Sequence, residues 1–148
     1  MKLIACLIIG FLPSISAAFS KPDSWYRGLR KSAYTPPDYV FPIVWPILYA
    51  MIGLSLYFYL TRSAKNPAWP AIAVFAIHLA LNSSWSLFFF RYHLPRVAFL
   101  DIILMLLTLA WIVVAFYNHS RWSAFLLIPY ALWLTFAAFL DFEVVRLN

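Results

Sequence analysis

Several polar side chains interrupt otherwise apolar stretches of this sequence. His78, Asn82 and Ser86 recur at intervals of four residues, a spacing that puts them on one face of a helix. Asp101 stands near the beginning of another apolar stretch, and Asp141 stands near the end of the last one. Because polar groups are costly when they face hydrocarbon, each is expected to point toward other protein groups or into a cavity. Hydrogen bonding, cation coordination and proton transfer are the chemistries open to them.

The composition excludes most classes of soluble protein. Of the 148 residues, 65% are hydrophobic and 11% are charged, whereas a soluble domain is about half apolar and about a quarter charged. The net charge of +6 comes from basic residues in short gaps between apolar runs, which favours contacts with lipid headgroups over nucleic acid. Cys6 is the only cysteine, so neither an internal disulfide nor a zinc cluster of cysteines is expected.

Five apolar stretches are each close to the ~20 residues that a helix needs to cross a bilayer. They cover residues 3–19, 41–60, 69–90, 97–117 and 122–145. The predicted fold class is therefore an all-α integral membrane protein, a single domain over residues 1–148 built as a bundle of five transmembrane helices. The first stretch has a second interpretation, because Lys2 and the later Ser16-Ala17-Ala18 resemble a signal peptide with its cleavage site. The four spans that follow favour a retained first helix.

The basic residues are divided unequally between the two sides of this predicted bundle. The side of the N-terminus carries four of them: Lys2, Arg62, Lys65 and Arg121. The opposite side carries seven: Lys21, Arg27, Arg30, Lys31, Arg91, Arg96 and Arg146. The excess predicts that the loop after the first helix and the C-terminus both face the cytoplasm. A bacterial membrane is expected.

The loop over residues 20–40, called loop 1, is long for so small a protein and rich in aromatic residues and proline. Pro36 and Pro37 remove two backbone donors and favour extended geometry before them. We expect loop 1 to be an ordered cap; the alternative is an interfacial loop whose aromatic rings lie among headgroups. Depth along the helices, at ~1.5 Å per residue, places six residues in the half of the bundle nearest this loop: Trp45, Asn82, Ser86, Asp101, Trp133 and Asp141.

That common depth predicts an aromatic-walled cavity beneath loop 1. Two simpler alternatives stay open. Asn82 and Ser86 would serve equally well to hydrogen-bond a neighbouring helix, and Asp101 to pair with Arg91 or Arg96. No catalytic pattern is recognisable, since the three histidines are scattered and glycine-rich phosphate loops are absent.

Five short patterns follow one another from Trp25 toward the C-terminus. They are Trp25-Tyr26-x-x-Leu29-x-Lys31-x-x-Tyr34-x-Pro36-Pro37, then Phe41 with Trp45, Asn82-x-x-Trp85-x-x-x-Phe89-Phe90, Leu100-Asp101, and Pro129-Tyr130-x-x-Trp133-x-x-Phe136-Ala137. In this order they resemble the signatures of the translocator protein family, also known as TspO, the peripheral benzodiazepine receptors or the tryptophan-rich sensory proteins. The likeness covers residues 25–148.

The resemblance implies five packed helices, a homodimer, and a ligand pocket beneath loop 1. Members of the family bind porphyrins such as protoporphyrin IX, haem-related tetrapyrroles and synthetic isoquinolines or benzodiazepines, and no tightly held cofactor or metal is implied. The corresponding ligand-binding positions are Trp25, Tyr26, Pro36, Pro37, Trp45, Asn82, Ser86, Trp133 and Ala137, with Asp141 beside them. Trp45 and Trp133 match the tryptophans implicated in porphyrin photo-oxidation by some bacterial members.

The sequence departs from the family pattern at three places. Asp141 stands where Asn is usual, and an acid in a dry pocket is costly unless it is paired or protonated. Ser32 replaces the usual proline after Lys31. The C-terminal cholesterol motif has Phe142 in place of its tyrosine, so cholesterol binding is not expected.

The predicted function is a membrane receptor or sensor for porphyrins and similar planar, apolar ligands. Arg27, Arg30 and Lys31 are the candidates for holding the propionates of such a ligand near the interface. Two alternatives are a light- and oxygen-dependent porphyrin breakdown at Trp45 and Trp133, and a small transporter that uses Asp101 and Asp141.

Overall fold

The computed structural model describes residues 1–62 and 66–148, and within these residues the secondary structure is entirely helical. The helices are α1 (Lys2–Phe11), α2 (Pro13–Ala18), α3 (Ser24–Gly28), α4 (Val40–Thr61), α5 (Trp69–Ser86), α6 (Pro95–Tyr117), α7 (Arg121–Phe125) and α8 (Ile128–Leu147). A π-helical turn, Leu87–Arg91, continues α5. Lys65, which the orientation argument counts, lies outside the described residues.

Within the part of the chain that the structure describes, four segments are long and apolar enough to cross a membrane. They are Val40–Thr61, Trp69–Arg91, Pro95–Tyr117 and Arg121–Leu147. Large apolar side chains such as Ile77, Leu107 and Leu132 lie exposed on their outer faces, as expected of helices whose solvent is lipid. The prediction of an all-helical integral membrane protein is confirmed.

The first apolar segment is shorter than the other four. Lys2–Ala18 forms two helices, α1 and α2, that meet at Leu12. Pro13, which has no backbone N–H, begins α2, a position where the missing donor does least harm. At ~1.5 Å per residue the pair is about 25 Å long, less than the ~30 Å of a hydrocarbon core. The structure therefore has four full-length spans and one shorter apolar segment.

The last predicted span, 122–145, is not one continuous helix. A turn at Leu126 and Leu127 separates the short α7 from α8. Pro129 stands in the first turn of α8. Because proline suits a first helical turn and clashes with a preceding one, the chain starts a new helix there.

The elements pack as a bundle in which α6 contacts α5, α7 and α8, while α1 lies along α4 and α2 lies along α5. Ser55 of α4 donates a hydrogen bond to the backbone carbonyl of Ser123 in α7 at 2.7 Å, and Ser123 donates one back to the carbonyl of Ser55. Both hydroxyls are fully buried. This reciprocal pair satisfies two polar groups that have no access to water.

Loop 1 and the C-terminus meet at the same end of the bundle. Asn148 accepts a hydrogen bond from the backbone N–H of Arg30 and donates one to the carbonyl of Arg30, both at 3.0 Å. These two hydrogen bonds join residues that are 118 positions apart in the sequence. They fix loop 1 to the end of α8 and therefore to the helix that carries Asp141.

Candidate functional site

A cavity of about 630 Å³ lies between loop 1 and the helices beneath it. Loop 1 and the segment leading into it supply one side of its wall: Ser20, Pro22, Tyr26, Lys31, Thr35 and Asp38. Aromatic rings supply much of the rest: Phe11, Phe41, Trp45, Tyr49, Trp85, Phe89 and Phe90. Loop 1 thus covers a space that is mostly apolar and rich in aromatic rings.

Six residues predicted as ligand-binding line this cavity together. They are Tyr26, Trp45, Asn82, Ser86, Ala137 and Asp141. They come from loop 1 and from helices α4, α5 and α8, which are far apart in the sequence. Trp45, Asn82, Ser86 and Asp141 were expected there from their depth, and Tyr26 and Ala137 from the family resemblance.

Four other predicted residues lie outside the cavity wall. Trp133 packs its ring 5.9 Å from that of Phe41, and its indole nitrogen is buried without a hydrogen-bond partner among the described residues. Trp25 stacks on His93 at 4.3 Å. Pro36 and Pro37 lie between two residues that do line the cavity. Direct ligand contact by these four stays a prediction.

A chain of polar side chains, buried except for Thr108 at its end, leads from the cavity into the bundle. Tyr49 donates its hydroxyl to Asn82 Oδ1 at 3.2 Å, and Asn82 Nδ2 donates to the hydroxyl of Tyr130 at 2.7 Å. Tyr130 and His78 Nε2 are 2.9 Å apart, and His78 Nδ1 is 2.9 Å from the hydroxyl of Thr108. The chain joins α4, α5, α8 and α6. Asn82 therefore hydrogen-bonds two neighbouring helices and also lines the cavity.

The direction of each bond in this chain follows from its outer end. Thr108 donates its hydroxyl to the carbonyl of Leu104 at 2.9 Å, so it accepts from His78. His78 then carries its proton on Nδ1, and its Nε2 accepts from the hydroxyl of Tyr130. Each nitrogen or hydroxyl that donates in the chain then has at least one acceptor, as expected of buried polar groups.

The buried carboxylates of Asp101 and Asp141 have different partners. Asp101 accepts from the hydroxyl of Ser84 at 3.3 and 3.4 Å, and Asp141 accepts from the indole N–H of Trp85 at 2.8 Å. Among residues 1–62 and 66–148, no ion pair joins Asp101 to Arg91 or Arg96. The proposed pairing of Asp101 with an arginine is therefore wrong. Asp141 lines the cavity, whereas Asp101 does not.

A second contact holds loop 1 against the turn before α6. The side chain of Asp23 caps α3 by accepting from the backbone N–H of Tyr26 at 3.1 Å. His93, whose φ of 55° places it in the left-handed region, brings its Nε2 to 3.0 Å from the other oxygen of Asp23. The Tyr26 amide and then the charge of His93 lower the pKa of Asp23. This carboxylate ties loop 1 to the turn before α6.

Removing that carboxylate is expected to loosen α3. In Asp23→Ala the amide of Tyr26 loses its acceptor, and we expect its hydrogen exchange to become about fivefold faster. Asp23→Asn keeps an acceptor oxygen for the amide and is the matched control, with a smaller change. Because the pKa of Asp23 is lowered on folding, the contact is present above about pH 4 and is lost as the pH falls through that lowered pKa. Equal exchange in wild type and Asp23→Ala would contradict this assignment.

Tyr26 occupies the centre of the cap. The ammonium of Lys31 lies 3.6 Å from the centre of its ring, a cation–π contact. Burial, and then the charges of Asp38 and Asp141, raise the pKa of Tyr26. Its hydroxyl therefore stays protonated at neutral pH and offers one donor to whatever the cavity holds.

The sequence of this chain matches the model of the TspO/MBR family over residues 3–147. The chain belongs to the TspO/MBR family. It is 39% identical to the tryptophan-rich protein TspO of Chlorobaculum tepidum over 97% of this chain and 90% of that one. It is 34% identical to the tryptophan-rich sensory protein of Cereibacter sphaeroides, over 92% and 84% of the two chains. It is also 34% identical to the human translocator protein, over 84% and 75%. The resemblance inferred from the motifs is confirmed.

Sequence reasoning on this TspO/MBR chain missed several residues of the site. Tyr49 and Tyr130 read as apolar helix residues, because the partner of each hydroxyl is remote in the sequence. Ser20 lines the cavity with a buried hydroxyl that has no hydrogen-bond partner among the described residues. Trp85 could have been suspected from the sequence, because it adjoins the stripe of His78, Asn82 and Ser86. Its hydrogen bond to Asp141 could not, because that bond depends on how α5 and α8 pack.

Proposed function

We propose that this protein is a membrane receptor or sensor that binds a porphyrin or a similar planar, apolar ligand in the cavity under loop 1. The observation that carries the proposal is the aromatic-walled cavity of about 630 Å³. That volume falls within the ~300–1,000 Å³ typical of small-molecule sites. The names of the relatives, which include sensory and translocator proteins, agree with a role in small-molecule recognition.

The shape and charge of the site favour a flat ligand with an acidic edge. Trp45 and Trp85 offer indole faces on which a macrocycle can stack, and apolar walls exclude water. Lys31 lines the cavity at its loop-1 side, whereas Arg27 and Arg30, the other two candidates for a propionate contact, do not. Lys31 is therefore the cation best placed to hold a carboxylate of the ligand.

The topology that goes with this function has five spans. We place α1 and α2 together as a fifth, shorter transmembrane segment, because α1 lies along α4 and α2 along α5. Their exposed apolar residues, among them Ile4, Ile8 and Ile15, suit lipid. The excess of basic residues at the loop-1 end favours a cytoplasmic position for that end. A homodimer is part of this proposal.

Titration of the purified protein with protoporphyrin IX tests the ligand. We expect saturable quenching of tryptophan fluorescence, and an affinity about 2- to 10-fold weaker in Trp45→Phe because the stacking surface shrinks. The effect of Trp133→Phe should be smaller, since Trp133 does not line the cavity. Trp69→Phe, at an exposed position outside the cavity wall, is the matched control. Quenching that does not saturate, or that is the same in all four proteins, would rule the proposal out.

A light- and oxygen-dependent breakdown of the bound porphyrin is a second candidate function. It is favoured by the position of Trp45, which lines the cavity and lies 5.4 Å from the ring of Tyr49. Illuminating the complex in air would give product absorbance that is lost in Trp45→Phe. Trp133, assigned a similar role by resemblance, should matter less because Phe41 lies against it.

Transport that uses Asp101 and Asp141 remains a prediction. Uptake into proteoliposomes that disappears in Asp101→Asn would favour it. Binding with neither turnover nor flux supports the receptor.

A further inference from the structure

Asp141 presents one carboxylate oxygen to the cavity. Its Oδ2 accepts from Trp85 Nε1 at 2.8 Å, while Oδ1 has no hydrogen-bond partner among the described residues. The fully enclosed side-chain atoms without partners in the same residues are Ser20 Oγ and Trp133 Nε1. Oδ1 is not among them, so it reaches open space. The side chain as a whole is only 4% exposed, and the space that it lines is the cavity.

The protein provides no cation for this carboxylate within the described residues. The ion pairs there join His93 to Asp23 and Arg146 to Glu143. The charged and titratable groups that line the cavity with Asp141 are Tyr26, Lys31 and Asp38 on loop 1 and Tyr49 on α4, and Asp101 on α6 is close enough to repel its charge. Lys31 is engaged with the ring of Tyr26 and is not within ion-pair distance of Asp141. Asp141 thus keeps an acceptor without a matching donor.

An unpaired carboxylate oxygen in an apolar cavity changes which ligands are favoured. A neutral ligand without donors would displace water from Oδ1 and leave the oxygen unsatisfied, which is unfavourable. A ligand with an N–H donor or a cationic nitrogen at this position would restore the bond, and charge-assisted bonds are the stronger kind. The polarity of one atom can therefore discriminate between ligands of the same shape.

We propose that Asp141 makes this cavity select planar ligands that present a cationic nitrogen or N–H donors to its Oδ1, over ligands of equal shape that lack them. The inference rests on the proposed function, since it assigns a chemical class to the ligand of the same site. Lys31 at the loop-1 side would hold an acidic group of the same ligand. A flat molecule with a donor on one side and an acid on the other fits both.

Two fluorescent probes with the same three-ring outline test the selection. One is 9-aminoacridine, a planar cation with N–H donors at neutral pH, and the other is anthracene, which has neither feature. Both are titrated into the full chain in a neutral detergent. We expect 9-aminoacridine to bind about 10- to 100-fold more tightly than anthracene, and to lose that advantage in Asp141→Asn. Anthracene should bind wild type and Asp141→Asn equally.

The variants are chosen so that folding and charge are controlled. Asn at 141 keeps an oxygen that accepts from Trp85, so the helix packing is preserved. Asp101→Asn removes an equally buried carboxylate that does not line the cavity, and should lower the affinity for 9-aminoacridine much less than Asp141→Asn does. An equal loss in Asp101→Asn would show a general charge effect and overturn the assignment. So would an Asp141→Asn variant that binds 9-aminoacridine as wild type does.

Protoporphyrin IX, titrated in parallel, separates this inference from the proposed function. If the porphyrin binds saturably while 9-aminoacridine has no advantage over anthracene, the role of Asp141 is wrong and the receptor function stands. If none of the three probes saturates, the proposed function fails and the inference fails with it. If the porphyrin binds and the advantage of 9-aminoacridine depends on Asp141, both are supported.

Discussion

Replacing Gly53 with alanine is expected to lower the free energy of unfolding by about 1–3 kcal/mol, the usual cost of overpacking a close contact. A Cβ at this position would lie 2.8 Å from the carbonyl oxygen of Cys6 and 2.8 Å from Cα of Leu7. Gly10 is in the reciprocal position, where a Cβ would lie 2.6 Å from the carbonyl oxygen of Tyr49. The obstructing atoms are backbone, so α1 must move away from α4.

The consequence extends beyond stability, because Tyr49 and Phe11 both line the cavity and lie on the two helices that would separate. Thermal unfolding in detergent, followed by circular dichroism, measures the first effect. Gly28→Ala is the matched control, since a Cβ there has no neighbour within 4 Å. The double variant Gly10→Ala with Gly53→Ala should cost less than the sum, because both open the same contact. Wild-type stability in Gly53→Ala would show that the helices do not pack as closely as described.

The spans could be predicted because hydropathy is a local property of the chain. The stretches predicted at 41–60, 69–90 and 97–117 match Val40–Thr61, Trp69–Arg91 and Pro95–Tyr117 within about two residues. The interruption at Leu12 was not predicted, although Pro13 marks it, whereas Pro129 indicates a kink near Leu126 from the sequence alone. A proline indicates that a helix cannot continue unchanged, but whether the chain kinks or begins a new helix depends on its neighbours.

The site was only partly predictable for a related reason. Helix depth identified Asn82, Ser86 and Asp141, because depth depends only on position within a span. Depth placed Trp133 at the same level but could not tell which side of α8 its side chain occupies. In the structure the indole of Trp133 packs against the ring of Phe41 and does not line the cavity. The hydrogen bonds of Tyr49 and Tyr130 were not predicted, although Tyr130 stands in the fifth motif. A phenol hydroxyl becomes informative only when its partner on another helix is known.

Tyr130→Phe is expected to lower the free energy of unfolding by about 1–3 kcal/mol, because it breaks two interhelical hydrogen bonds that contribute ~0.6 kcal/mol on average and up to ~1.7 each in membranes. Asn82 Nδ2 loses the hydroxyl that it donates to at 2.7 Å, and His78 Nε2 loses the same hydroxyl, from which it accepts at 2.9 Å. Tyr130 is 0% exposed and His78 is 1% exposed, so water cannot replace the lost hydroxyl. The loss should therefore lie at the upper end of that range.

Tyr49→Phe provides the comparison that tests this reasoning. It removes one hydroxyl from the same chain, but the oxygen it leaves belongs to Asn82, which lines the cavity and can take a new partner there. Its cost should be about 1 kcal/mol or less. A cycle of Tyr130→Phe, Asn82→Ala and the double variant should give a coupling energy clearly above zero, since the two side chains share a bond. If Tyr49→Phe and Tyr130→Phe lower the free energy of unfolding equally, burial does not govern the cost of losing a hydroxyl. The assignment of donors and acceptors from Tyr49 to Thr108 would then be wrong.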